Sequence, residues 1–306
     1  MRGKSGKVLV IVSNLETDIS AFKRIFHLSK RLSKDIQIKI DVLYISNLKP
    51  PVIEFITNRE NNISNNDIDI LNKNFDKFLK EYREESVSNI EINTIIAFSS
   101  NEEKTIFEIS DSTNPDLIIK SVYSDDKKHK LTPLDWQLLK HSKVNVMLVK
   151  PKPWEPVDKV AIAIKNSENE HDKEMNHYLF SWANMMSRSI HLKENIYAIS
   201  SYIVPTIASY DAIGVDMVGY NSELTKDMKD AIKTFDLENG VLEENIYIHQ
   251  GSPIDIIPEI SNKLELSVLV LGTSFKKRLS SIILGNTAEK IINKVDCDIL
   301  ILRNPK

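Results

Sequence analysis

The sequence predicts an α/β protein made of two tandem Rossmann-like domains, each a parallel sheet flanked by helices. Three observations carry this. Short apolar runs alternate with segments of helical period along the whole chain of 306 residues. The runs are almost continuously Val, Ile and Leu, as in Lys7-Val-Leu-Val-Ile-Val12 and Leu266-Ser-Val-Leu-Val-Leu271, so they are buried on both faces, as strands of a parallel sheet are. The pattern is also written twice. Lys159-Val-Ala-Ile-Ala-Ile164 repeats the opening run, Asp298-Ile-Leu-Ile-Leu-Arg303 repeats Asn145-Val-Met-Leu-Val-Lys150, and Leu266–Leu271 repeats Pro115-Asp-Leu-Ile-Ile-Lys120. A period of about 150 residues is too long for a solenoid and marks a duplicated domain.

In the first copy the periodicity predicts strands at 7–13, 37–45, 90–97, 116–121 and 145–149, with helices near 18–33, 65–84, 102–111 and 132–142. In the second it predicts strands near 159–165, 194–201, 244–250, 267–271 and 298–302. Helices are expected there near 168–188, 221–236, 254–264 and 281–294. The proline-rich link Lys150-Pro-Lys-Pro-Trp-Glu-Pro156 is extended and stiff, and it sets the domains at 1–152 and 153–306.

Bulk composition narrows the function. With 42% hydrophobic and 27% charged residues the chain fills packed cores. A net charge of −3 gives no basic field, so nucleic acid is not an expected partner. One cysteine, Cys297, rules out an internal disulfide, fits a reducing compartment and reads as a packed thiol. The run Val8–Val12 is too short for a secretory signal and no stretch approaches a membrane span, so a soluble, cytoplasmic protein is expected.

No catalytic constellation is legible. His171 and His177 lie six residues apart and do not share a helix face, and there is no Cys/His cluster for zinc. A Gly-x-Ser-x-Gly elbow and a Walker loop are lacking too. Glu168, Glu170 and Glu174 read as solvated acids at a helix start, Glu289 as part of a capping box, and Trp136, Trp154 and Trp182 as packing residues. The reading is non-enzymatic, with weak nucleotide hydrolysis left open.

The segment from Val268 to Arg303 is the most informative. A strand stops at Gly272, a polar loop with Lys276, Lys277 and Arg278 follows, and Gly285-Asn286-Thr287 opens a helix. Helix starts present free N–H groups and partial positive charge, a seat for phosphate. Gly272, Ser274, Gly285, Asn286 and Thr287 are therefore candidate ligand residues; metal ligands are not expected. A second candidate is the apolar, tyrosine-containing stretch Tyr202–Tyr220, whose Tyr202, Ile203, Val204, Ile207 and Tyr210 either cap the sheet or line a pocket for a small hydrophobic molecule. Leu48–Ile56 is its shorter counterpart in the first copy.

Leu284-Gly-Asn-Thr-Ala-Glu289, then Cys297-Asp-Ile-Leu-Ile301, resembles the closing helix and strand of the universal stress protein family. Gln250-Gly-Ser-Pro253 is similar to the turn after that family's third strand. Thr132-Pro-Leu-Asp-Trp-Gln-Leu-Leu139, then Val146-Met-Leu-Val-Lys-Pro-Lys-Pro-Trp154, resembles the tandem E type. The resemblance implies strand order 3-2-1-4-5 in each half and a pseudo-twofold axis, a pseudo-dimer within one chain. It leaves a homodimer of chains and the identity of protein partners open. It implies a cytoplasmic stress-response protein from a family with ATP-binding and non-binding members.

The family's ATP pattern is Gly, two residues, Gly, nine residues, Gly, then Ser or Thr, with an Asp ending the first strand. Gly272 and Gly285 match the outer glycines, Phe275 stands at the middle one and Asn286 at the hydroxyl position. Lys165 or Asn166 takes the aspartate position. In the first copy Ser121 stands for Gly272 and Thr132-Pro133 for Gly285-Asn286, so ATP or AMP is a candidate cofactor in the second domain only. Three functions stay open: a binding and regulatory scaffold, a nucleotide-responsive switch, and a carrier of an apolar ligand.

Overall fold

The computed structural model describes residues 5–14, 19–31, 36–46, 73–74, 76–77, 79–80, 90–123, 131–152, 154, 158–165, 169–188, 195–203, 217–275 and 282–303. The chain divides into two compact units, Met1–Pro151 and Lys152–Lys306.

The first unit runs β1 (Ser5–Val12), α1 (Ile19–Arg31), β2 (Gln37–Ser46), β3 (Ile90–Phe98), α2 (Glu102–Thr113), β4 (Leu117–Ser121), α3 (Pro133–His141) and β5 (Asn145–Val149). Its strands stand in the order β3-β2-β1-β4-β5, and every pairing is parallel. Helical residues at 73–74, 76–77 and 79–80 fall inside the helix expected at 65–84.

The second unit runs β6 (Val160–Ile164), α4 (Glu170–Arg188), β7 (Ile196–Tyr202), α5 (Met217–Glu238), β8 (Ile246–Gln250), α6 (Pro253–Lys263) and β9 (Val268–Gly272). It closes with β10 (Ser274–Phe275), β11 (Ile282–Ile283), α7 (Asn286–Ile292) and β12 (Asp298–Leu302). Its main strands stand in the order β8-β7-β6-β9-β12, again all parallel. Both units therefore have the expected 3-2-1-4-5 order.

The core follows the sequence pattern. Val8–Val12 of β1 and Val160–Ile162 of β6 are buried on successive residues, because helices must cover both faces of a parallel sheet. Helix α1 buries Ala21, Phe22, Ile25, Phe26 and Leu28, an apolar stripe at helical spacing. Cys297 is buried, and Trp182 is 4% exposed.

The duplication reaches individual hydrogen bonds. Lys7 Nζ donates to the Thr113 carbonyl at the end of α2, at 2.7 Å, and Lys159 Nζ donates to the Leu264 carbonyl at the end of α6, at 2.8 Å. Each ammonium meets orphan carbonyls at a negative helix end. The Lys7 amide bonds Asp116 Oδ2 and the Lys159 amide bonds Ser267 Oγ, at 2.9 and 3.2 Å. The residues that turn each chain into the fourth strand, Asn114 and Glu265, both have left-handed φ, 47° and 52°.

Three expectations are corrected. The helix expected at 281–294 starts at Asn286, and Ile282-Ile283 instead pair antiparallel with Ser274-Phe275. Two β-branched residues ahead of a glycine favour a strand over a helical turn. The expected capping box at Glu289 does not form, since the N-cap is Gly285, which has no side chain to give. Within the stretch Tyr202–Tyr220, residues from Met217 onward are already helix α5.

Candidate functional site

In a doubly wound sheet, ligands sit beyond the carboxyl ends of the strands. In the second unit this rim is formed by Lys165 after β6, Gly272 ending β9, and Gly285 opening α7. The three have different local causes.

Gly272 is a packing glycine. A Cβ built on it would lie 2.6 Å from Met175 Cγ and 2.9 Å from its Sδ, so the absence of a side chain lets α4 approach β9. Gly285 is the opposite case. Its φ and ψ are −74° and 152°, ordinary extended values, and nothing lies within 4 Å of where its Cβ would be. The start of α7 has no side-chain cap, and Asn286 and Thr287 are exposed. Between these residues the hairpin β10–β11 carries Ser274 and Phe275; Lys276, Lys277 and Arg278 lie outside the described residues.

Lys165 is held in place by its own unit. The buried Asn176 donates from Nδ2 to the Lys165 carbonyl at 2.9 Å, and its Oδ1 faces the Lys165 amide at 3.4 Å. The Lys165 ammonium pairs with Asp172 at 2.7 Å. The position that ends the first strand is thus cationic and tied to α4; Asn166 lies outside the described residues.

The corresponding rim of the first unit is filled by its own side chains. Ser121, at the end of β4, accepts the Ala21 amide of α1 on its Oγ at 2.9 Å. Helix α3 carries a capping box: Thr132 Oγ1 accepts the Asp135 amide at 3.2 Å while Asp135 Oδ2 accepts the Thr132 amide at 2.7 Å. Pro133 at the first helical position has no N–H to offer. Beneath them Lys120 Nζ stands 3.0 Å from Asp135 Oδ1, and the two residues are 6% and 0% exposed. Sequence reasoning missed this pair. Its visible signals were a lysine ending an apolar run and the Thr-x-x-Asp spacing of a capping box.

The apolar candidate is only partly in view. Tyr202 is buried, with Lys229 Nζ of α5 5.2 Å from its ring centroid, whereas Ile203 is 69% exposed. Val204, Ile207 and Tyr210 lie outside the described residues, as does Leu48–Ile56. A pocket lined by Lys152, Trp154, Glu265, Ser267, Cys297 and Asp298 sits at the opposite, amino ends of β9 and β12. There Trp154 Nε1 donates to the buried Asp298 Oδ2 at 2.8 Å.

Other residues singled out in the sequence have plain structural roles. Glu170 pairs with Lys173 at 3.0 Å on the surface. The His177 ring packs on Phe235 with centroids 4.8 Å apart, and its Nδ1 lies 3.3 Å from Asn239 Oδ1. Lys140 Nζ lies 5.7 Å from the centroid of the Trp136 ring. Among the described residues no group of three or more His, Cys, Asp or Glu is placed to hold a metal, and no helix is long and apolar enough to cross a membrane.

Comparison with known proteins shows what the chain is similar to. The model of the universal stress protein family matches residues 188–303. The chain is similar to the universal stress protein E homolog of Haemophilus influenzae, 28% identical over 71% of this chain and 71% of that protein. It is 30% identical to universal stress protein E of Photorhabdus laumondii over 62% of each, so less than two thirds of that relative is spanned. Among solved structures, a functionally unknown protein from Pseudomonas aeruginosa PAO1 superposes with a TM-score of 0.75 at 22% identity, covering 97% of this chain and 92% of its own. A universal stress protein from Archaeoglobus fulgidus gives 0.63 at 16% identity, covering both chains completely. These two likenesses speak for the fold. With the strand order, the repeated domain and the named relatives together, the chain carries a universal stress protein domain at residues 188–303 and is similar over most of its length to universal stress proteins of the E type.

Proposed function

We propose that this chain is a non-catalytic, cytoplasmic binding and regulatory scaffold of the stress response, working through protein contacts. The observation that carries the reading is Met175 against Gly272: the glycine that matches the family's ATP pattern is used for helix-on-strand packing. Lys165 at the aspartate position adds a cation pinned by Asp172 and Asn176 where the pattern asks for an acid. Isothermal calorimetry of the full chain with ATP and AMP tests it. No saturable heat is expected up to millimolar nucleotide; saturable heat would replace the scaffold with a switch.

One observation favours the switch as a second reading. Gly285 keeps open space beside an uncapped helix start, so the backbone there is accessible to a phosphate of ATP or AMP. If nucleotide heat is found, Gly285→Trp should abolish it. The carrier reading rests on Val204, Ile207 and Tyr210, and native mass spectrometry of protein from its own cells tests it by the presence of a co-purified small hydrophobic molecule.

A further inference from the structure

The buried pair of Lys120 and Asp135 is more than a salt bridge in a core. An ammonium with 6% exposure must have an anion, and an α-helix start is itself a place of positive potential. Asp135 answers both demands with one carboxylate. Oδ1 faces Lys120 Nζ at 3.0 Å, and Oδ2 accepts the Thr132 amide at 2.7 Å and the Thr132 hydroxyl at 2.9 Å. Lys120 Nζ also donates a hydrogen bond to the Ser121 carbonyl at 3.0 Å, at the very end of β4. These donors converge where the second unit has Gly272 and Gly285.

We propose that the Asp135 carboxylate is a built-in anion that keeps the strand-end site of the first unit permanently filled, an autoinhibitory contact that stops this unit from exchanging ligands. The donors it satisfies would otherwise receive a small oxyanion or carboxylate. They comprise one ammonium, one hydroxyl and one backbone amide, a set suited to formate, acetate or inorganic phosphate.

The test is chemical rescue in the full chain. Asp135→Ala vacates the carboxylate, and thermal unfolding is followed against sodium formate, acetate and phosphate, with sodium chloride at equal ionic strength as reference. The expected result is a Tm rise of roughly 2–4 °C from formate or acetate over chloride in the variant, and none in the wild type. Equal responses of variant and wild type would overturn the proposal. If Asp135→Ala does not fold, Asp135→Ser is read in the same way: its shorter side chain also vacates the carboxylate and leaves Lys120 without a counter-ion, and rescue by the same anions is again expected. The double variant Lys120→Met/Asp135→Leu removes cation and anion together and should show no anion response; a response there would place the binding elsewhere and overturn the assignment. The outcome is separate from nucleotide calorimetry, since neither result decides the other.

Discussion

Met175 fills the space that Gly272 leaves: a Cβ at residue 272 would sit 2.6 Å from Met175 Cγ. A methyl group there forces Met175 out of its place against β9. Gly272→Ala should cost about 1–2 kcal/mol, at the lower range of overpacking because a methionine can shift. In a Met175→Ala background the same substitution should cost close to nothing, giving a coupling of about 1 kcal/mol in a urea double-mutant cycle. Equal costs in the two backgrounds would show that Gly272 is there for another reason.

Gly285 carries no such constraint. Gly285→Ser places a hydroxyl at the N-cap of α7, whose extended backbone suits serine, so stability should rise by about 0.5 kcal/mol or stay level. Chemical denaturation reads this directly. A loss above about 1 kcal/mol would contradict the open space beside Gly285.

Asp236 of α5 is fully buried, and neither carboxyl oxygen has a hydrogen-bond partner among the described residues. Burial pushes its pKa up to about 7 from 3.8. The folded state therefore holds the proton more tightly than the unfolded chain does. Its stabilising contribution is full below about pH 4, falls as pH rises, and is gone above about pH 7. Asp236→Asn should remove that slope, leaving stability at pH 4 little changed and raising it at pH 8 by roughly 3–4 kcal/mol. Unfolding by urea at the two pH values checks this, and a variant as unstable as wild type at pH 8 would refute it.

Glu265 holds a left-handed φ of 52°, a conformation that costs a side chain about 1 kcal/mol. Its counterpart in the first unit is Asn114, a residue that tolerates this region better. Glu265→Asn should stabilise the protein by about 0.5 kcal/mol, measured as a higher urea midpoint with unchanged slope. A lower midpoint would mean that the Glu265 side chain makes a contact worth more than the strain.

The sheet was legible because its strands are nearly continuous apolar runs, and the two units were legible because those runs recur in order. Most boundaries moved by one or two residues, as at β7 and α6, while α5 begins four residues early and α7 five residues late. What escaped depends on residues far apart or on very short ladders. The β10–β11 hairpin is two residues on each side, too short for any period to show. The Lys120–Asp135 pair joins a strand to the following helix, and a sequence shows each charge alone. The glycine pattern was read in terms of phosphate, yet only the coordinates separate Gly272, pressed by a methionine, from Gly285, facing open space. Asp236 had no signal beyond standing four residues after the buried Ile232.

The lysines that open the two sheets, Lys7 and Lys159, tie strand beginnings to helix ends at the floor of each unit. The candidate site residues that differ between the copies, from Ser121 and Gly272 to Thr132 and Gly285, lie on the other rim. A fold fastened at its base can have its crown rewritten with little loss of integrity. Residues of the rim can therefore change in either copy without disturbing that copy's own base.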